Sequence, residues 1–390
     1  MIKNLKSMKK LIRVTTSDIS LYLLLNEQLK YLNKYYEVVA LSADTGLLHK
    51  VEKREGVRVI ELAMRRNISV LRDLSCLLHM VRIFKKEKPY IVHANTPKGS
   101  LLAMMAAWAD RVPHRIYTVT GLRYQGAHGA GRLVLKTMER LTCLFANKVI
   151  PEGEGVKQTL IKDNITHKPL KVIHHGNING INTAFFSVEA THGSREDIRH
   201  RLKIEDDEFV FVFIGRIVRD KGMDELAQAM MKLGRTGRKC KLILVGWFER
   251  EQMTITEEHE NFFRNSDSVV YMGYKKDVRP YLLAADALVF PSYREGFPRV
   301  PLEAGSMGLP SIVTDINGCN EIIVEGENGV IIPPRDANSL YDAMLRFIDR
   351  REETAAMGAR ARGMIQSRYE HRDVMDALLD MYRNLEEQDS

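Results

Sequence analysis

Short apolar runs alternate along this chain with longer segments whose apolar residues recur at helical spacing. In the first half, runs at 10–16, 38–42, 57–62, 89–94, 116–121 and 148–152 read as strands. The segments 21–32, 70–86 and 133–145 have the three-to-four residue period of amphipathic helices. A last run, 171–177, reads as the closing strand of this half. Adjacent residues of a strand face opposite ways, so His174 and His175 are expected on opposite faces of it. After a polar, unpatterned stretch at 187–196 the alternation resumes. Strands are expected at 209–214, 241–246, 269–274, 285–290 and 311–315, and helices at 223–233 and 369–385. The run Phe209-Val210-Phe211-Val212-Phe213-Ile214 has no polar alternation, which marks a central parallel strand buried on both faces. Strand–helix alternation of this kind predicts an α/β protein built on parallel sheets with helices on both faces. The polar stretch divides it into domains at 1–190 and 191–368, followed by the segment 369–390.

In open parallel sheets ligands bind at the carboxyl ends of the strands, so the loops there carry the candidate chemistry. After 209–214 comes Gly215-Arg216-Ile217-Val218-Arg219-Asp220-Lys221-Gly222. Gly215 permits close backbone approach, and Arg216 and Lys221 can converge on a diphosphate, one as a planar fork and one as a point charge. The G-x-x-x-x-G-K pattern of a Walker loop is absent. After 285–290 comes Pro291-Ser292-Tyr293-Arg294-Glu295-Gly296-Phe297-Pro298, then a helical run that contains Glu303. Pro298 suits the first turn of that helix, where a missing N–H costs nothing. Glu295 then sits on the loop and Glu303 about a turn and a half into the helix. Gly246, Gly273 and Tyr274 end two further strands on the same edge.

Glu295 and Glu303, seven residues between them and Gly-Phe after the first, resemble the paired-glutamate signature of glycosyltransferase family 4. Arg216 and Lys221 match that family's diphosphate-holding arginine and lysine. The resemblance covers nearly the whole chain and is densest from Phe209 to Pro333. It implies the GT-B fold: two Rossmann-like α/β/α domains, parallel sheets facing across a cleft, with the segment 369–390 returning to the first domain. It implies a retaining transfer from a nucleotide sugar, most often a UDP-sugar, and the lack of an Asp-x-Asp motif for a divalent cation points to a metal-independent reaction. Glu295 would contact donor-sugar hydroxyls and Glu303 the ribose hydroxyls. Gly215, Gly246, Gly273, Tyr274, Gly296, Phe297 and Pro298 would complete the donor side. Glu295, Arg216 and Lys221 would carry the chemistry, with no metal ligand and no cofactor.

Three departures qualify it. Pro298 stands where many members have glycine, which removes a possible backbone donor. Ser17 and Asp18 replace a glycine pair after the first strand. Thr120 occupies the place of a common histidine, so that histidine's role is not carried over. The stretch from His93 to Arg123 resembles enzymes that build bacterial capsule, O-antigen and lipid-linked oligosaccharides. His93, Lys98, Thr120 and Arg123 are its acceptor-side candidates. Arg65 and Arg66 are further candidates for an acceptor phosphate, and the glycine-rich 125–131 segment for a loop closing over the acceptor.

Charge sharpens the contrast between the halves. Residues 1–180 carry 30 Lys and Arg against 14 Asp and Glu, about +16; a chain net of +8 leaves about −8 for the remainder. A basic first half suits an anionic acceptor or membrane surface. No nucleic-acid module accompanies it. The four cysteines form no C-x-x-C pair, which fits a reducing cytosol and neither zinc nor disulfides. The basic first ten residues lack a signal-peptide core, and no apolar run approaches a spanning helix. The expected protein is cytoplasmic and peripheral on the inner face of the cytoplasmic membrane. It would use a UDP-sugar and a polyprenyl-diphosphate-linked saccharide. Two rival readings are a nucleotide-sugar epimerase of the same architecture and a non-catalytic nucleotide-sugar-binding protein.

Overall fold

A computed structural model describes residues 8–65, 69–249 and 254–389. Arg66 lies outside the described residues. The first sheet contains β1 (Lys10–Ser17), β2 (Glu37–Ala43), β3 (Arg58–Glu61), β4 (Ile91–Ala94), β5 (His114–Val119) and β6 (Lys148–Pro151). The second contains β7 (Phe209–Ile214), β8 (Cys240–Val245), β9 (Val269–Gly273), β10 (Ala287–Phe290), β11 (Ser311–Thr314) and β12 (Gly329–Ile332). Their orders are β3-β2-β1-β4-β5-β6 and β12-β11-β10-β7-β8-β9. The pairings are parallel. Each sheet reverses its strand order once, between β1 and β4 and between β7 and β10, and there the loops part to leave a crevice.

The cores follow from the pleat. Ile12 and Val14 of β1 join Phe84, Met104 and Val119 on one face. Leu11, between them in sequence, joins Leu29, Val38 and Tyr382 on the other. In β7 the three phenylalanines pack one way, and Val210, Val212 and Ile214 the other. The unbroken apolar run is therefore a strand covered twice.

Two compact units result: residues 1–180 with 372–390, and residues 181–371. The division falls after Gly180, ahead of the polar 187–196 stretch. Ile181 is already tied into the second unit, donating to the Tyr369 carbonyl at 2.8 Å and accepting from the His371 amide at 2.9 Å. Phe186 belongs to a core of the second unit. The helices Arg351–Tyr369 and His371–Gln388 are separated at Glu370, which is extended and accepts from Thr183. Within the first unit Tyr382 stacks edge-on against Tyr36, 5.7 Å between centroids.

Two local expectations need correction, and one strand was not expected. Residues 171–177 form no strand. β6 gains only an isolated bridge from Val149 to Leu170, and left-handed His174 (φ 51°) and Asn177 (φ 65°) turn the chain away. The His174 and His175 rings accordingly meet each other, 4.7 Å apart at 81°. The helix expected at 133–145 starts at Gly129, after a 3₁₀ turn at Arg123–Gly126, so part of the glycine-rich stretch is helical. β12 carries too little apolar pattern to stand out. Gly329 admits it, because a Cβ there would sit 2.1 Å from the Ser311 carbonyl oxygen.

Candidate active site

The second sheet's switch point gathers most of the residues expected on the donor side. Gly215, Gly246 and Gly273 end β7, β8 and β9, and all three have positive φ (155°, 153° and 64°). The Gly215 amide donates to Val245 and the Gly246 amide to Gly273, both at 3.0 Å. A Cβ on Gly246 would lie 1.8 Å from the Gly215 carbonyl oxygen, so only glycine lets these two chain reversals touch. Tyr274 projects beyond them, largely exposed, its ring edge-on to that of Trp247 at 5.7 Å. Trp247 was not singled out from the sequence. Its signal is an aromatic placed directly after the β8 glycine.

The loop after β7 is sewn to the loop after β10. The Tyr293 amide donates to the Asp220 carbonyl at 2.9 Å, and Arg294 Nη2 pairs with Asp220 Oδ2 at 3.2 Å. Gly222 (φ 71°) packs so tightly on Pro291 that a Cβ would fall 2.0 Å from the Pro291 oxygen. This seam places Lys221 Nζ against Glu295 Oε1 in an ion pair. Ser292 Oγ donates to the same carboxylate oxygen at 2.9 Å. Arg216 does not share that partner: its Nη1 lies 2.6 Å from Glu249 Oε2 on the loop after β8. The two cations expected to converge are thus each held by a separate carboxylate. Ser292 and Glu249 are polar partners that only the fold identifies.

Pro298 is the residue before the helix Arg299–Ser306, not its first helical residue. Its φ of −72° and ψ of 135° are those of a cap. Glu303 is the fifth residue of that helix and largely buried, with Arg299 Nε 2.8 Å from its Oε1. Burial pushes the Glu303 carboxyl above the ordinary glutamate value, and the Arg299 charge only partly offsets it. The Phe297 side chain is buried, its ring 5.6 Å from that of Tyr369, so only its backbone faces the loop. Gly318 (φ 75°) backs Gly296–Pro298, since a Cβ there would come within 2.8 Å of the Gly296 oxygen.

The four acceptor-side candidates lie in the first unit and are mostly engaged. His93 is 1% exposed. Arg13 Nη1 and Tyr382 Oη both face its Nδ1, the hydroxyl at 2.5 Å, and Thr118 Oγ1 lies 2.7 Å from Nε2. Burial, and then the Arg13 charge, hold this imidazole well below the usual histidine value. It is a neutral structural group beside a cavity of about 20 Å³, the space of roughly one water. Lys98 is buried and pairs with Asp73 at 2.5 Å. Thr120 donates to the Asn95 carbonyl at 2.8 Å. Arg123 is exposed on its 3₁₀ turn, as is Arg65 on its loop. Arg123, Lys98 and the buried Glu139 line a second small cavity of about 20 Å³. Burial raises the Glu139 carboxyl to about 7 against the opposing hydrogen bond from Tyr117 at 2.6 Å.

Family models, relatives and solved structures match this chain. The family described as Glycosyl transferases group 1 matches residues 194–364, and Glycosyltransferase Family 4 matches residues 24–179. The capsular polysaccharide biosynthesis glycosyltransferase CapM of Staphylococcus aureus is 31% identical over 92% of this chain and 93% of its own. An Escherichia coli UDP-Gal:alpha-D-GlcNAc-diphosphoundecaprenol alpha-1,3-galactosyltransferase is 28% identical over 73% of each chain. In fold, the crystal structure of Anabaena HepE in complex with UDP superposes with a TM-score of 0.81 at 20% identity, covering 97% of this chain and all of that one. Two Rossmann-like units, a glycine-lined switch point and the two matched families converge: the chain belongs to glycosyltransferase family 4 and is a glycosyltransferase of the GT-B fold.

Proposed function

We propose that this enzyme transfers a sugar from a UDP-sugar to a saccharide carried on a polyprenyl diphosphate, with retention, during synthesis of a bacterial surface polysaccharide. The observation that carries the reading is the Lys221–Glu295 pair at the switch point, with buried Glu303 one helix turn beyond the loop. A diphosphate arriving there competes with Glu295 for the Lys221 ammonium, and the freed carboxylate accepts from sugar hydroxyls. The exchange replaces one charge-assisted contact by two. Arg216 leaves Glu249 for the same leaving group. Charge grows on the diphosphate as the sugar becomes oxocarbenium-like, so fixed cations aimed there lower the barrier. Pro298 and Pro301 lack N–H groups, which leaves the Arg299 and Val300 amides at the helix start to add to that field. In this reading no divalent cation is required, and the leaving phosphate takes the acceptor proton on the face it departs from. Glu303, ionised, receives the ribose hydroxyls.

The CapM relative is named for capsular polysaccharide, and the Escherichia coli relative for a UDP donor and an undecaprenol-linked acceptor. A fold neighbour carries UDP. Among the described residues no helix is long and apolar enough to cross a membrane, so the proposed enzyme meets its lipid-linked acceptor from the membrane surface. The test is a panel of UDP-sugars with EDTA, scored for UDP release with and without lipid-diphosphate saccharides. Release that needs acceptor and survives EDTA supports the reading. Conversion of a UDP-sugar alone, without UDP release, overturns it in favour of an epimerase.

A further inference from the structure

The first unit wears apolar side chains where solvent should be. The helix Val70–Glu87 exposes Leu71, Leu74 and Leu78, a single face at three- and four-residue spacing, with Leu71 83% exposed. The helix Gly129–Phe145 exposes Leu133, Val134, Leu141 and Leu144, again one face, with Leu133 and Leu144 above 60%. Between them the helix Pro97–Ala109 packs against both and ends at exposed Trp108, whose ring lies 5.3 Å from Phe145. Buried residues on these same helices already serve the core, including Met80, Phe84, Met104 and Cys143. The outer leucines are therefore a second apolar surface, of a kind that on a soluble monomer marks an interaction site.

The exposed charges beside the leucines of the helices Val70–Glu87 and Gly129–Phe145 have one sign, and Asp110, just past Trp108, stands with Lys85 and Arg111 around one surface depression. Arg82 and Lys85 continue the Leu71–Leu78 stripe along the same helix face, and Arg132 precedes Leu133; all three are exposed. The acids of these helices are spent elsewhere. Asp73 pairs with Lys98, Glu87 pairs with Lys10 and Arg58, and Glu139 is buried. A second copy of the chain would bring the same cations against themselves. An anionic bilayer satisfies both features at once: leucine and tryptophan enter the headgroup boundary, and arginine and lysine meet lipid phosphates.

We infer that the outer faces of the helices Val70–Glu87 and Gly129–Phe145, with Trp108, are the surface by which this enzyme lies on an anionic lipid bilayer. The inference deepens the proposed function and rests on its lipid-linked acceptor. Docking by this face brings the first unit's loops to the acceptor's headgroup level. The test uses sedimentation with sucrose-loaded vesicles free of any acceptor, of phosphatidylcholine alone or with one-quarter phosphatidylglycerol. Parent protein is expected to bind the anionic vesicles at least tenfold more tightly. Leu71→Ser with Leu78→Ser, Leu133→Ser and Leu144→Ser should lose tenfold or more at low salt. Arg82→Glu with Lys85→Glu should lose the preference for anionic lipid. Circular dichroism and UDP-sugar affinity, unchanged in both, show that the fold and donor site survive. Binding that is equal for parent and leucine variant overturns the proposal. So does a parent dimer in sedimentation that the leucine variant abolishes while vesicles bind neither protein. Vesicle binding without sugar transfer to lipid acceptors would overturn the acceptor reading and leave the surface standing. Transfer to a soluble saccharide without vesicle binding would do the reverse.

Discussion

The two switch points occupy the same place in two sheets of the same topology, yet they present opposite chemistry. After β7 the chain offers Gly215, Arg216, Lys221 and Gly222, and their cations meet acids that a ligand could displace. After β1 it offers Ser17 and Asp18. The Asp18 carboxylate is buried, and it accepts from the Thr45 amide at 2.8 Å, the Thr45 hydroxyl at 2.5 Å and the Leu47 amide at 2.8 Å. The Thr16 amide and hydroxyl bind Thr96 Oγ1, and Thr16 Oγ1 accepts from Gly99. In the first unit the donors that a phosphate would need are consumed by the fold. In the second they are held in exchangeable ion pairs. A shared topology thus fixes where a ligand could bind, and loop residues decide whether an anion is welcome.

The contrast can be broken most sharply at Lys221. Lys221→Ala should lower kcat about 10²–10³-fold with little change in melting temperature, because the proposed mechanism aims that charge at the leaving group. A loss below tenfold would remove Lys221 from the chemistry. Gly222→Ala attacks the seam rather than the charge. A left-handed φ and a 2.0 Å approach to the Pro291 oxygen should cost about 2–4 kcal/mol of stability, read by urea unfolding. A smaller cost would mean that the two loops can separate freely.

Glu303 allows a titration. Its carboxyl is raised by burial, and a hydroxyl donor favours the ionised form, so donor binding should release a proton. Affinity for a UDP-sugar, whose diphosphate diester does not titrate near neutrality, should therefore fall as pH drops through the raised value. The expected loss across that transition is about tenfold, one unit of coupling. Calorimetry on Glu303→Gln should give weaker, pH-independent binding; an unchanged slope would point to another group.

Asp18 should behave in the opposite manner. Burial works against its charge, but the hydrogen bonds from Thr45 and Leu47 prevail and hold it at about 2. A lowered carboxylate stabilises the fold above its unfolded value near 4, and that contribution is lost as pH falls towards 2. Asp18→Asn should cost about 1–2 kcal/mol at pH 7, and the gap from the parent should close below pH 4. Donor affinity should be untouched. A stabilised variant would show that the buried charge is a liability.

Much of this was legible in one dimension. β7 could be read from six consecutive apolar residues, since only a strand covered on both faces tolerates such a run. Arg216, Lys221, Glu295 and Glu303 could be marked as candidates because they follow strands that periodicity announces and because their spacing resembles the family 4 signature. Element positions depend on local pattern, which the chain carries in every window. Partnership does not. That Lys221 meets Glu295, that Arg216 turns to Glu249, and that Trp247 faces Tyr274 depend on which loops the strand order brings side by side. His93 had the right address at a sheet edge, and only the packing of Tyr382 and Arg13 around it made it a sealed, neutral group. The outer leucines of the first unit illustrate the same division. Their spacing declares an amphipathic helix, but a helix has two faces, and the sheet decides which one is left exposed.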